Sequence, residues 1–173
     1  KTSLHTAISR RHKEFEDAAR AYVASVDSSR AALELTLHLR RQNAAPRRGG
    51  GTGGDSSLKK CTAVMKKLRA VTEEGKTGLL LDLSKLNLER YAEEAARACA
   101  ESTLKARDVA AAVEVCSKLH QEYAAFTPAL LEALMKTLEA PPGPDVPPAR
   151  KRTALRLLTD LYLCNAHDQP ELI

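Results

Sequence analysis

The sequence predicts an all-α protein built from stacked helical hairpins, and three observations carry that prediction. Apolar residues recur at spacings of three and four through most of the chain, which places them on one face of a helix. Aromatic residues make up 3% of the sequence and Trp is absent, so the core must come from Leu, Ala and Val, which suits close-packed helices better than a sandwich of sheets. The links between periodic segments are short, and short links lay successive helices antiparallel.

Residues 1–43 form an N-terminal helical segment. Leu4, Ile8, Phe15, Ala18, Ala19, Tyr22 and Val26 fall on one side. A break at Ser28-Ser29 is expected before Leu33, Leu35, Leu37 and Leu39. Their every-second spacing resembles a strand, but Ala31, Ala32 and Glu34 between them are good helix formers, so helix is expected there too. Residues 44–57 read as a Gly/Arg-rich linker, since Arg47-Arg48 runs into Gly49-Gly50-Gly51-Thr52-Gly53-Gly54.

Residues 58–173 hold the hairpins. A helix is expected from about Ser57 to Thr72, with Leu58, Cys61, Met65, Leu68 and Val71 inward and Asp55 or Ser56 as its N-cap. Leu79 to Leu83 is the one strand-like run, and beside Gly75 and Gly78 it reads as a loop or short helix. The next pair is the clearest. Leu88, Tyr91, Ala92, Ala95 and Cys99 share one face of a helix from about Leu88 to Glu101; after a link at 102–106, Val109, Ala112, Val113, Cys116, Leu119 and Tyr123 share a face of the next. A third helix is expected to open with Thr127 as N-cap and Pro128 at its first position, and to present Leu130, Leu131, Leu134, Met135 and Leu138. Residues 140–149 carry five of the eight prolines and end it. A last helix, about 150–163, offers Leu155, Leu158, Leu161 and Tyr162. No single pair can bury its own face, so the pairs must stack as a HEAT-like α-solenoid.

At 173 residues with a net charge of +5, the chain is long enough for a core that needs no staple. The surplus is local. Residues 1–48 carry ten Lys and Arg against five acids, whereas the remaining 125 carry seventeen of each sign. Arg40, Arg41, Arg47 and Arg48 form a basic tract into the linker, and Lys59, Lys60, Lys66 and Lys67 form a ridge, because Lys59 with Lys66 and Lys60 with Lys67 are two helical turns apart. These eight residues are the candidate contacts to RNA phosphates or an acidic partner, against a plain solvated surface. No aromatic residue near the tract offers a base a stacking surface. Arg150-Lys151-Arg152 opens a helix, where the macrodipole disfavours cations, so the triplet reads as a solvated turn, with an external contact to acidic protein or RNA as its alternative.

Cys61, Cys99, Cys116 and Cys164 all sit on apolar faces, which indicates packed free thiols in a reducing compartment. Zinc held by Cys116, His120 and Cys99 is the sharper alternative, but the sequence has no Cys-x-x-Cys or His-x-x-x-His pair. No cofactor is implied. The glycines precede no βαβ unit, the five histidines are scattered, and Glu73-Glu74 and Glu93-Glu94 point apart along their helices, so an enzyme is not expected. No run approaches the roughly 20 apolar residues of a membrane span and no signal peptide is visible, so neither a membrane nor a small-molecule substrate is expected.

Several separate blocks carry a resemblance. Cys116-Ser117-Lys118-Leu119-His120-Gln121-Glu122-Tyr123 with Phe126 and Leu130-Leu131, Asp55-Ser56-Ser57-Leu58-Lys59-Lys60, Lys66-Lys67-Leu68, and Leu86-Asn87-Leu88 with Tyr91 resemble, in order, the first tandem domain of the second up-frameshift factors of nonsense-mediated mRNA decay. Those domains are similar to the middle domain of translation-initiation factor 4G, an all-α HEAT-type fold. The resemblance covers about Asp55 to Leu163 and implies the front part of a larger scaffold, incomplete at its C-terminal end, with other nonsense-mediated decay factors as partners in the cytoplasm, including its perinuclear part. The family's best-known contacts lie in regions outside this sequence, so the resemblance assigns no partner-binding residue. Two functions follow: an interaction scaffold of mRNA surveillance with secondary, sequence-independent RNA contact, or a basic RNA-binding helical module.

Overall fold

A computed structural model describes residues 2–45, 54–141, 143 and 146–168. They form seven α-helices: α1 (Thr2–Asn43), α2 (Leu58–Leu68), α3 (Lys76–Leu83), α4 (Ala92–Ala100), α5 (Val109–Glu122), α6 (Phe126–Glu139) and α7 (Pro148–Leu163). The chain divides into two compact units, 1–37 and 38–173. The first is the greater part of α1. The second holds the last turns of α1 and three hairpins, α2/α3, α4/α5 and α6/α7.

Within the second unit, α2 packs on α4 and α4 on α6, while α3 packs on α5 and α5 on α7. The hairpins therefore stack in register, and the solenoid has two helical layers. Between them lie the largest buried side chains, among them Leu68, Leu83, Leu88, Leu119, Tyr123, Phe126, Leu130, Leu157 and Leu158. The faces expected of α4 and α5 are the buried ones, except that Tyr91 is half-buried.

Polar bonds fix the stacking where the chain reverses. The Tyr123 hydroxyl accepts from Leu88 N at 3.0 Å and donates to Leu86 O at 3.3 Å, so the end of α5 holds the strap that leads into α4. Asp55 pairs with the same strap, with Asp55 N to Lys85 O at 3.0 Å and Asn87 N to Asp55 O at 3.1 Å. A Cβ on Gly54 would lie 2.5 Å from Leu86 C, so only glycine permits this approach. Lys76 Nζ bridges Glu73 and Glu114 at 2.7 and 2.6 Å. Burial works against its charge, but hydrogen bonds to the Glu114 and Glu73 carboxylates outweigh it and raise its pKa. The last turn of α1 is tied down by Leu39, which is buried, and by Asn43, which donates to Ser117 Oγ and Cys164 O.

Several boundaries differ from the sequence reading, each for a visible reason. Ser28-Ser29 does not break α1, because Ser29 Oγ donates to Ser25 O at 2.9 Å within the helix. The run Leu79–Leu83 is helical, burying Leu79 and Leu83 four apart. Neither Asp55 nor Ser56 is the N-cap of α2. Ser57 takes that position, and Asp55 Oδ1 accepts from Ser57 N at 2.8 Å. Leu58 is exposed and Val64 buried in its place. The turn Glu89–Tyr91 is 3₁₀ rather than α, with Asn87 Oδ1 accepting from Glu89 N at 3.0 Å. Helix α6 starts at Phe126, so Thr127 is not its cap and shares a buried 2.7 Å hydrogen bond with His120 Nδ1 instead. In α7, Leu155 is exposed and Leu157 buried. Asn165, at φ 57°, closes α7 in a Schellman motif, with Ala166 N to Leu161 O and Asn165 N to Tyr162 O.

Leu119 lies between layers, so Leu119→Ala should destabilise by about 2–5 kcal/mol through lost transfer energy and a cavity. Tyr123→Phe strips the buried Leu88 amide of its acceptor and should cost about 1–3 kcal/mol. Leu155→Ala should stay within about 0.5 kcal/mol of the parent. Urea unfolding of the three variants checks the faces, and a large loss at Leu155 would mean that α7 is turned.

Candidate functional site

The basic residues singled out in the sequence occupy three different settings. Arg40 and Arg41 are exposed in the last turn of α1, where cations meet the negative end of the macrodipole favourably. Arg47 and Arg48 lie outside the described residues. Lys59, Lys60, Lys66 and Lys67 are all exposed on α2, but they do not act as one ridge. Lys60 Nζ meets Asp55 Oδ2 at 2.6 Å and Lys67 Nζ meets Asp82 Oδ2 at 2.6 Å, whereas Lys59 and Lys66 enter no ion pair among the described residues.

The two paired lysines line a groove of about 290 Å³ with Asp55, Asp82, Lys85 and Leu86. Lys85 was not recognised from sequence; only its place after the Leu79–Leu83 turn signals it. Three cations and two carboxylates leave the groove a single net positive charge. The Lys60 ammonium, helped by the Ser57 amide, holds the Asp55 carboxyl below its ordinary pKa, and Lys67 does the same for Asp82. A depressed carboxylate pKa means the pairing is present above the unfolded value, near 3.9, and is lost as pH falls through the lower folded value. At neutral pH both pairs are closed. They are exposed and screened by salt, so they orient the lysines more than they stabilise the fold.

A second feature escaped the sequence reading altogether. Along α4 and α6 runs an open groove of about 750 Å³. Its floor includes Ala100, Ala129 and Ala133, and its rim carries Glu93 paired with Arg97 at 3.2 Å and Glu132 paired with Lys136 at 2.6 Å. Ala125, Ala129 and Ala133, four apart, were its only signal. Arg150 lines the far side. Its neighbour Lys151 is neither a solvated turn residue nor an external contact: Nζ donates to Leu138 O at 2.8 Å and to Ala140 O, closing the end of α6.

All four cysteines are free and buried. Cys99 is raised well above an ordinary thiol, chiefly by its hydrogen bond with Cys116 and then by burial; burial and Asp160 push Cys164 up to about 11. Such thiols stay protonated at neutral pH and are weak nucleophiles. His120 spends Nδ1 on Thr127, and no three His, Cys, Asp or Glu residues converge for a metal ion among the described residues. Nor is any described helix long and apolar enough to cross a membrane.

No family model matches the chain. It is 37% identical over 163 residues to Regulator of nonsense transcripts UPF2 of Arabidopsis thaliana, covering 87% of this chain and 14% of the relative. Against Regulator of nonsense transcripts 2 of Homo sapiens it is 44% identical over 110 residues, covering 63% of this chain and 9% of the relative. Nonsense-mediated mRNA decay protein 2 of Saccharomyces cerevisiae is 37% identical over 123 residues, with 63% and 11% covered. The crystal structure of the first MIF4G domain of human nonsense mediated decay factor UPF2 superposes with a TM-score of 0.75 at 33% identity, covering 84% of this chain and 49% of that one. The chain thus spans a small part, at most 14%, of the curated relatives it matches.

Because Asp55 and Asp82 hold Lys60 and Lys67, the double substitution Asp55→Asn, Asp82→Asn should release both lysines. Elution from immobilised heparin should move to higher salt, with the salt dependence steepened by up to about 0.7–0.9 per lysine newly engaged. An unmoved elution point would show that the two pairs do not limit anion contact.

Proposed function

We propose that this chain, a homologue of the regulators of nonsense transcripts with the fold of their first MIF4G domain, is a protein-docking scaffold of nonsense-mediated mRNA decay acting in the cytoplasm. Its partners are other factors of that pathway, and its contact with RNA is secondary. The observation that carries this reading is the α4/α6 groove. An alanine floor lets a partner's backbone approach closely, and a rim of both signs complements a polypeptide better than a polyphosphate, which favours a surface of one sign. Helices α4 and α6 pack directly on one another along it.

RNA contact falls to Lys59 and Lys66, which have no ion pair among the described residues, and to Arg40 and Arg41, joined in sequence by Arg47 and Arg48. Such contact is independent of sequence and weakens with salt. The alternative, a basic module that works chiefly by phosphate contact, is supported by the same residues but weakened by the Asp55 and Asp82 pairs.

Two variants separate the readings. Ala129→Arg with Ala133→Arg fills the groove without touching the core and should abolish co-purification with nonsense-mediated decay factors, identified by mass spectrometry, while leaving RNA affinity intact. Lys59→Gln with Lys66→Gln should lower RNA affinity at low salt and leave the co-purification unchanged. If the groove variant keeps its decay factors, and RNA binding at near-physiological salt disappears with the lysines, the RNA-module reading replaces the scaffold.

A further inference from the structure

We propose that α1 pairs with the α1 of a second copy of this chain, antiparallel, to form a two-helix coiled coil. The helix runs unbroken over Thr2–Asn43, yet Ile8, Phe15, Tyr22, Val26 and Leu33 are 58, 72, 72, 49 and 65% exposed. Ile8, Phe15 and Tyr22 are spaced by seven, as are Ala19, Val26 and Leu33, and the second set sits four residues after the members of the first. That is the alternation of a coiled-coil seam, about 38 Å long from Ile8 to Leu33 at 1.5 Å per residue. A stripe of this length is more than a scatter of single apolar residues.

The seam is complementary to itself in one register. With the partner reversed about a point between Arg20 and Ala21, Ile8 faces the second copy's Leu33, Phe15 faces Val26 and Tyr22 faces Ala19, each layer occurring twice by symmetry. Large side chains meet small ones, so the two axes stay at one separation. A parallel pair would set Phe15 on Phe15 and Ala19 on Ala19, bulging at one layer and gaping at the next, and would align the two macrodipoles. The polar positions agree with the reversed register, since His12 then faces Ser29.

The flank agrees as well. Glu16 lies about 7.5 Å along the axis from the second copy's Arg30, within the span of the two side chains. Both groups now hold exposed neighbours on their own helix, Glu16 with Arg20 at 3.4 Å and Arg30 with Glu34 at 2.9 Å. Such i,i+4 pairs are weak and exchange partners easily. Residues 1–37 carry six Lys and Arg against five acids, so no net repulsion keeps the copies apart.

Sedimentation equilibrium of the 173-residue chain tests the pairing. The expected mass is twice the 18.8 kDa of one chain, falling to 18.8 kDa on dilution. Phe15→Glu and Val26→Glu should each leave a monomer, with the hairpins' melting temperature unchanged because both residues are exposed. Glu16→Arg should weaken association roughly ten-fold by facing Arg30, and adding Arg30→Glu should restore most of it, which a parallel pair cannot do. A monomer at every attainable concentration, a dimer that survives Phe15→Glu, or a charge exchange that fails to restore association would each overturn the proposal.

Discussion

The Tyr123 hydroxyl sits where the first two hairpins must agree on their spacing. It is buried at the end of α5 and bonded both ways to the strap at Leu86–Leu88, and Asp55 pairs with that strap from the chain entering α2. Three segments distant in sequence therefore converge on a few backbone atoms. Apolar burial drives the layers together without direction; these bonds choose one vertical register among those that the smooth Leu and Ala surfaces would tolerate. Burial also fixes the phenol, raising its pKa, so the hydroxyl keeps its proton to donate to Leu86.

Stacking of this kind leaves two outer layers that face solvent with whatever the core does not need. On α4 and α6 the remainder is alanine between compensated charges, and on α2 it is lysine, half of it held by aspartates. The chain's even balance of signs after residue 48 reappears as local neutrality on these surfaces. The net charge is carried elsewhere, by the segment that leads into the stack.

The hairpins were legible in the sequence because a helix face is a local periodic pattern, and Val109 to Tyr123 states its pattern completely. What was illegible depended on distance. Asp82 neutralising Lys67 joins residues fifteen apart, and the β-bridge of Asp55 with Leu86 joins residues 31 apart; neither has a local signature. Cap assignments failed for the same reason at Thr127, whose hydroxyl is drawn to His120 on the preceding helix. The α4/α6 groove was missed because alanine satisfies the rule for a core and for a floor equally. Ser28-Ser29 misled in the opposite sense, since serine weakens a helix only when its hydroxyl turns to a competing conformation, and here it bonds back one turn.

Lys151 has a consequence for how the domain tolerates change. By gripping the carbonyls of Leu138 and Ala140 from the first turn of α7, it joins the two helices of the third hairpin upstream of the prolines. The ends of the α6–α7 connection are therefore held together by Lys151, and the angle between α6 and α7 is decoupled from the connection's length. Doubling it would cost only about 0.6 kcal/mol of closure entropy. This is where the solenoid can accept inserted chain, and with it new binding modules, without disturbing the register of its layers.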